Sequence, residues 1–279
     1  MSFNTETLGL PSGMDMLLRD LIHEHTGLFY DNGSCDLLTD KLAPLVIKRG
    51  FSSFLDYYYL LKYDTQVDDE WRQVMNALSV QETYFWREMD QVRTLVEVLM
   101  PQLHSNSPYT PLRIWSAACA TGEEPLTIAM ALNENGWFDR AQIEICASDA
   151  STNAIEKARS GVYRERSFRS LPSEMRKKYF TEEQGLWRIA PELAGRVKWS
   201  TANLIVEDEI ADLAAAQVIF CRNVFIYFSP EKVRHTINLF AERMRAPGYL
   251  FVAASESLMR VTTEFELKEI SGAFVYLKH

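Results

Sequence analysis

With 279 residues, the chain is long enough for two modest domains, or for one large α/β domain with an appendage. Its 47% hydrophobic and 24% charged residues are an ordinary globular balance, so a core can form without disulfide staples. A formal net charge of −9 argues against a nucleic-acid binder, which carries a clustered basic excess, and against docking on an acidic membrane surface.

The N-terminal part reads as helical. Met14, Leu17, Leu18, Leu21 and Ile22 form one stripe and predict a helix over 14–25. Asp31-Asn32-Gly33-Ser34 is a turn signal. Residues 35–48 are again helical in pattern, with Pro44 placed to kink the helix or to start a new turn. Ser52 or Ser53 caps a third helix carrying Phe54, Tyr57, Tyr58 and Leu61. The run Tyr57-Tyr58-Tyr59 is read as aromatic core cover rather than a stacking platform. A fourth helix is predicted over 68–78 and one long helix over 87–103. Residues 104–111, with serine, asparagine and two prolines, form the best linker in the chain.

Beyond residue 111 strands and helices alternate, which implies a mostly parallel sheet covered on both faces. Strands are predicted over 112–119 and 142–148. Helices follow over 123–135 and from Ser151 or Thr152 to about Gly161. Residues 163–196 interrupt the alternation: a charged helix over 174–179 and short strand-like pieces at 186–189 and 196–199 suggest an inserted β-hairpin. Strands at 197–201, 217–221 and 248–254 resume the sheet. Ser229-Pro230-Glu231 starts a helix that runs to about 245. Strands at 265–270 and 273–278 around Ser271-Gly272 form a terminal antiparallel hairpin. The expected organisation is a helical domain over 1–86, a linker helix and loop over 87–111, and an α/β domain over 112–279 with an insertion over about 163–198.

Ligands of open α/β sheets bind outside the carboxyl ends of the strands. The first strand runs into Ala118-Cys119-Ala120-Thr121-Gly122-Glu123-Glu124-Pro125, which holds one glycine. A dinucleotide fingerprint needs three, so that backbone can approach a pyrophosphate. Two acids at a helix start repel phosphate and suit a cationic or hydroxyl-bearing ligand, or they merely complement the helix dipole. Asp149 ends the second strand, 27 residues after Gly122, where it can accept hydrogen bonds from ribose hydroxyls or cap the next helix. A nucleoside without phosphate, bearing a sulfonium cation, satisfies both positions; that ligand is S-adenosyl-L-methionine. Asn203 is placed at the end of the strand before the fourth, and Arg222, Asn223 and Tyr227 follow the fourth strand on the same rim.

No metal site is expected. Cys35, Cys119, Cys146 and Cys221 lack CxxC spacing and read as free, mostly buried thiols of a reducing compartment. His23 and His25 lie two apart on a helix and point away from each other. No apolar run reaches about 18 residues, and residues 1–10 lack a secretory pattern, so a cytoplasmic protein without membrane insertion is expected.

The chain resembles the chemotaxis receptor glutamate methyltransferase (CheR) family over nearly its whole length. The resemblance is carried by Glu82-Thr83-Tyr84-Phe85-Trp86-Arg87-Glu88, by residues 113–125, by Ala158-Arg159-Ser160-Gly161-Val162-Tyr163, by residues 220–228 and by Ser255-Glu256-Ser257-Leu258. It implies a class I S-adenosylmethionine-dependent methyltransferase fold (Rossmann-like, mostly parallel, with an antiparallel terminal strand) after an all-helical domain. It also implies esterification of glutamates on the cytoplasmic helical domain of methyl-accepting receptors by a monomer, with S-adenosyl-L-homocysteine as the product. Residue by residue, it places Gln81, Thr83 and Arg87 at the cofactor from the helical side. Glu124 falls after the first strand, Asp149 on the ribose, Asn203 and Leu204 near the adenine, and Arg222 and Asn223 at the next strand end. Tyr227, with Arg87, would stand near the transferring methyl.

The chain departs from the family at Gln81, where asparagine is usual, at Leu126 for a frequent tyrosine and at Ala120 for a frequent serine. Its second helix carries only Lys41, Lys48 and Arg49 with two acids, where many members are rich in basic residues. Thr181-Glu182-Glu183-Gln184 is a short connection for a hairpin that grips a receptor tail, so no dependence on such a tether is expected. The competing readings are a non-catalytic scaffold of the same fold and a nucleic-acid methyltransferase. The second is disfavoured by Arg222-Asn223-Val224-Phe225 in place of an Asn/Asp-Pro-Pro-aromatic motif.

Overall fold

The computed structural model describes residues 8, 13–31, 33–106 and 110–279. Most of the N-terminal stretch screened for a signal, Asn32 of the first turn and residues 107–109 of the expected linker lie outside the described residues. By contact the chain divides into two units, Met1–Val80 with Tyr227–Lys232, and Gln81–Ile226 with Val233–His279.

The first unit holds four helices, α1 (Met14–Thr26), α2 (Cys35–Lys48), α3 (Phe54–Tyr63) and α4 (Asp68–Leu78). Pro44 lies inside α2, which runs on through it. Ser53 is the cap of α3, accepting from the Asp56 N–H at 3.3 Å. The helical stripes meet in a core that includes Leu18, Ile22, Leu38, Leu42, Tyr57 and Val74, all buried. Two of the three consecutive tyrosines, Tyr57 and Tyr58, are core residues, whereas Tyr59 is exposed. Buried Glu70 is satisfied by the Tyr57 hydroxyl at 2.7 Å and Arg49 Nε at 2.5 Å, as a carboxylate removed from water requires.

The second unit opens with a continuous helical run, α5 (Met89–Thr94), a π-helical turn (Leu95–Leu99) and α6 (Met100–Asn106). The predicted helix start at 87 is two residues early. Trp86 and Glu88 have φ of 69° and 49°, which no helix accommodates, so Arg87 is not helical. There follow β1 (Leu112–Ala117), α7 (Glu123–Glu134), α8 (Trp137–Arg140), β2 (Ile143–Asp149), α9 (Thr152–Ser160) and β3 (Val162–Tyr163). Next come α10 (Ser173–Tyr179), β4 (Phe180–Glu183), β5 (Leu186–Ile189), α11 (Pro191–Ala194), β6 (Val197–Thr201) and α12 (Glu207–Ala214). The chain ends with β7 (Val218–Cys221), α13 (Pro230–Arg243), β8 (Gly248–Phe251), β9 (Glu266–Ile270) and β10 (Ala273–Lys278).

The main sheet has the order β6-β2-β1-β7-β8-β10-β9. Its first five strands pair in parallel, and β10 runs antiparallel to both neighbours. The chain leaves β1 for β2 on one side and later places β7 on the other, so the strand order reverses at β1, where such sheets open a crevice. Trp115 of β1 is fully buried, its Nε1 donating to Ser148 Oγ at 3.0 Å and its ring meeting Phe240 edge-on.

The insertion is a three-stranded antiparallel sheet, β3-β5-β4, rather than a lone hairpin. The strand partner of 186–189 is Phe180–Glu183, not 196–199, which belongs to the main sheet. The reason lies in Gln184-Gly185, whose φ values of 56° and 79° make a two-residue turn of the kind that matches strand twist. Residues 181–183, read from sequence as a connection, are therefore strand. Ser271-Gly272 closes the terminal hairpin in the same way, with φ of 48° and 83°. No helix among the described residues is long and apolar enough to cross a membrane.

Candidate functional site

The residues 81–88 are fixed to the α/β unit at several points. Phe85 is fully buried against the rings of Tyr163 and Phe180, with centroids 4.8 and 5.0 Å away. Its N–H donates to Ser167 O at 2.9 Å, and the Trp86 N–H donates to Thr127 Oγ1 at 3.2 Å. At the other end, Arg222 NH2 reaches Arg87 O at 3.2 Å. Of the seven non-glycine residues with positive φ among the described residues, Gln184 and Ser271 make hairpin turns. The other five, Trp86, Glu88, Ala118, Ala120 and Asn223, lie in 81–88 or in loops leaving β1 and β7. Backbone strain of this kind persists only where the surroundings over-determine it, and it concentrates at functional sites.

At the end of β1, Gly122 has φ of +93°, and a Cβ there would lie 2.7 Å from the Trp199 ring and 2.9 Å from Ala158. The loop closes only on glycine. Glu123 and Glu124, adjacent in sequence, diverge in role. Glu123 is buried and accepts from Thr121 Oγ1 at 2.6 Å and Ser167 Oγ at 2.9 Å, tying the loop to the insertion; burial pushes its carboxyl above the ordinary range. Glu124 accepts from Ser116 Oγ at 2.6 Å and from Arg222 Nε at 2.6 Å.

Arg222 is the hub. Its guanidinium is buried and also reaches Glu88 Oε2 at 3.4 Å and Gln91 Oε1 at 3.2 Å. Gln91 in turn donates to Val252 O at 2.8 Å. Two carboxylates, Glu88 and Glu124, thus share one buried guanidinium, with Arg87 as a second cation near Glu88. Burial raises the Glu88 carboxyl above its ordinary range, against the opposing pull of Arg222 and Arg87. By bonding both acids, Arg222 sets their position.

At the end of β2, Asp149 Oδ2 accepts from the Ala120 N–H at 2.9 Å and Oδ1 from the Ser151 N–H at 2.8 Å. Burial raises its carboxyl, and those two N–H groups pull it back down. A carboxylate has about four lone-pair positions, so each oxygen keeps acceptor capacity. The cap of α9 is Ser151, which accepts from the Ala154 N–H at 3.2 Å; Asp149 is free of that duty. Gln81 joins this corner, donating to Ser151 Oγ at 3.3 Å and accepting from Lys157 Nζ at 2.8 Å.

The remaining predicted residues are placed as follows. Asn203 lies two residues past the end of β6 rather than on it; its N–H donates to Glu209 at 2.6 Å and its Oδ1 accepts from the Ile205 N–H. Leu204 is buried. Thr83 is partly buried within 81–88. Asn223, with φ of 60°, follows Arg222. Tyr227 counts with the helical unit, where its carbonyl accepts from the Phe29 N–H at 2.8 Å.

Sequence reasoning assigned no role to Glu88, Gln91, Ser116 and Glu256, although all but Gln91 lie in the segments that carry the family resemblance. Glu256 is buried and takes four backbone N–H groups, those of Asn223, Phe225, Ile226 and Ala253, at 2.8–3.3 Å. It holds the strained loop after β7 in place. The Glu256→Gln variant sets an amide against those donors, and hydrogen bonds to a charged group contribute about 1.5–3 kcal/mol. Calorimetry is expected to show a Tm lower by several degrees, and turnover is expected to fall about tenfold as the Arg222-Asn223 loop relaxes.

A parallel sheet whose strand order reverses at β1, with an acid ending β2 and acids rather than a glycine-rich phosphate loop after β1, is the fold of a class I S-adenosylmethionine-dependent methyltransferase. The comparisons agree. Residues 81–274 match the family model described as CheR methyltransferase, SAM binding domain, and residues 16–79 match its all-alpha domain. Chemotaxis protein methyltransferase 2 of Vibrio cholerae serotype O1 is 34% identical, over 93% of this chain and 91% of its own. The chemotaxis protein methyltransferases of Salmonella typhimurium and Escherichia coli K12 are 31% and 30% identical, each over 98% of this chain and over 92% and 93% of theirs. The chain belongs to the CheR methyltransferase family.

Proposed function

We propose that this enzyme esterifies glutamate side chains on the cytoplasmic helical domain of methyl-accepting chemotaxis-type receptors, acting as a cytoplasmic monomer. The observation that carries the reading is the acid pair Glu88–Glu124 on a single guanidinium. Carboxylates at this strand end, where a phosphate site would need N–H donors, suit a cationic ligand rather than a phosphate. Asp149 suits a ribose diol. The donor set therefore fits S-adenosylmethionine, which supplies a methyl already activated by the sulfonium charge. Gln81, Thr83, Asn203, Leu204, Arg222 and Asn223 complete the assigned surroundings.

A glutamate side chain, with an unperturbed pKa near 4.3, is already a carboxylate at neutral pH, so no general base is required. What the residues supply is alignment, which can lower a barrier by roughly 7–11 kcal/mol. Arg87 is assigned to the incoming carboxylate because a guanidinium matches its shape. Tyr227 is assigned beside the methyl from the family pattern alone. Incubation with tritiated cofactor and receptor membranes is expected to give a label released as methanol by base. Cofactor binding without such a label would favour the scaffold reading.

The charge argument has its own test. The Glu88 carboxyl is raised, so it is ionised only above that raised value, and acidification removes its charge sooner than from an ordinary glutamate. Affinity for S-adenosylmethionine, followed by calorimetry from pH 8 downward, is expected to weaken before affinity for S-adenosylhomocysteine, which lacks the sulfonium charge, does. In Glu88→Gln the two ligands are expected to titrate in parallel, with the cation bound several-fold more weakly at pH 7.

A further inference from the structure

The overall charge of −9 conceals a segregation. Residues 157–178 hold eight of the 29 lysines and arginines and only two of the 38 acids. The stretch covers the end of α9, a 3-10 turn (Glu165–Phe168) and α10. It is not a loose charge run. Arg176 lies over the Trp187 ring, 3.6 Å from its centroid, and its NH1 donates to Glu165 at 2.7 Å, which fixes α10 to the turn and to β5. Arg164, Arg166 and Lys177 are exposed on that framework.

The same face reaches the candidate site. Arg169, from just after the turn, stacks on Tyr84 with its guanidinium 3.8 Å from the ring centroid, and Arg87 approaches that ring at 5.5 Å. Glu82 pairs with Arg169 at 2.9 Å, but both side chains are about half exposed, and such pairs exchange at little cost. Helix α2 offers much less. In α2 and its cap, Arg49 is committed to Glu70 and Lys41 donates to Leu78 O, which leaves Lys48.

We propose that the face built from the 3-10 turn and α10 of the insertion is the docking surface for an acidic segment of the methyl-accepting protein. It delivers that segment to Arg87 across Arg169 and Tyr84. The proposal rests on the methyltransferase reading for its substrate and adds where that substrate is held. Clustered charge of one sign raises encounter rates and makes them dependent on salt.

The test compares Arg164→Glu/Lys177→Glu with Lys48→Glu. Turnover is measured on receptor membranes, and direct binding by anisotropy of fluorescein-labelled polyglutamate. The double variant is expected to raise KM for receptor at least tenfold at low ionic strength and to weaken polyglutamate binding equally. Its kcat and S-adenosylhomocysteine affinity should stay within twofold. Lys48→Glu is expected to change KM less than twofold. An unchanged KM and polyglutamate affinity in the double variant would overturn the proposal, as would a larger effect from Lys48→Glu. Duplex DNA binding more tightly than polyglutamate would also overturn it, in favour of a nucleic-acid surface. If the wild type binds cofactor but never labels receptor, the methyltransferase reading fails by itself, and the anisotropy series still decides the docking face.

Discussion

Arg87→Ala is expected to lower kcat/KM for methyl transfer at least 100-fold while S-adenosylhomocysteine affinity changes only a few-fold. The split follows from how Arg87 is held. Its carbonyl accepts from Arg222, a contact that alanine keeps, so the acid cup below it survives the substitution. Its guanidinium makes one long contact, to Glu82 O at 3.5 Å, and lies beside the Tyr84 ring. It is positioned yet uncommitted, as a group that must meet an incoming carboxylate should be. Removing a positioned group that stabilises reacting charge typically costs about 10²–10³ in rate. Arg87→Lys keeps the charge and loses the planar fork, so an intermediate rate is expected. Single-turnover labelling with saturating cofactor, together with calorimetry of the product nucleoside, separates the two effects. Unchanged turnover in Arg87→Ala would remove this residue from the mechanism.

The parts of the molecule legible in sequence were those written in local pattern. The stripe of Met14, Leu18, Leu21 and Ile22, from which Leu17 departs by being exposed, the caps at Ser53 and Ser151, each one of two candidates, and the turn at Ser271-Gly272 all depend on neighbours a few residues away. The sheet followed from alternation, and the acid at Asp149 followed from the rule that ligands bind at strand ends. What stayed hidden depends on distance in the chain. Arg222 contacts Glu124, Glu88, Gln91 and Arg87, all 98–135 residues away, and no local window relates them. Glu256 stands out in sequence only as part of a family segment; three of the four backbone N–H groups it accepts from belong to a loop about 30 residues earlier. The mispaired insertion has a different cause. Phe180-Thr181-Glu182-Glu183 is a weakly apolar strand, and an edge strand in a small sheet has little burial to announce it. The left-handed residues Trp86 and Glu88 likewise gave no sign, because tertiary contacts rather than propensity hold them there.

Asp149→Asn separates the ribose contact from the charge contact. The substitution keeps the shape of the side chain and replaces one acceptor oxygen by a donor. Both native oxygens already face backbone N–H groups, from Ala120 and Ser151. The new amide must therefore either turn its NH2 against one of these or present it to the ligand where a hydroxyl needs an acceptor. Either choice leaves a buried polar group mismatched, at about 2–3 kcal/mol, which corresponds to a roughly 30- to 150-fold loss of affinity. Because the ribose is common to both nucleosides, S-adenosylmethionine and S-adenosylhomocysteine are expected to weaken together, unlike the cation-selective loss in Glu88→Gln. The control is Ser151→Ala, which removes the α9 cap at about 1 kcal/mol of stability but leaves the carboxylate in place. Acid should mimic the substitution: the buried Asp149 carboxyl titrates above an ordinary aspartate, and as pH falls through that raised value one oxygen becomes a donor and both nucleosides are released. Calorimetry showing Asp149→Asn with native affinity for both would mean that the ribose is bound elsewhere. Asp149 would then serve only to tie the β1 and β2 loops together.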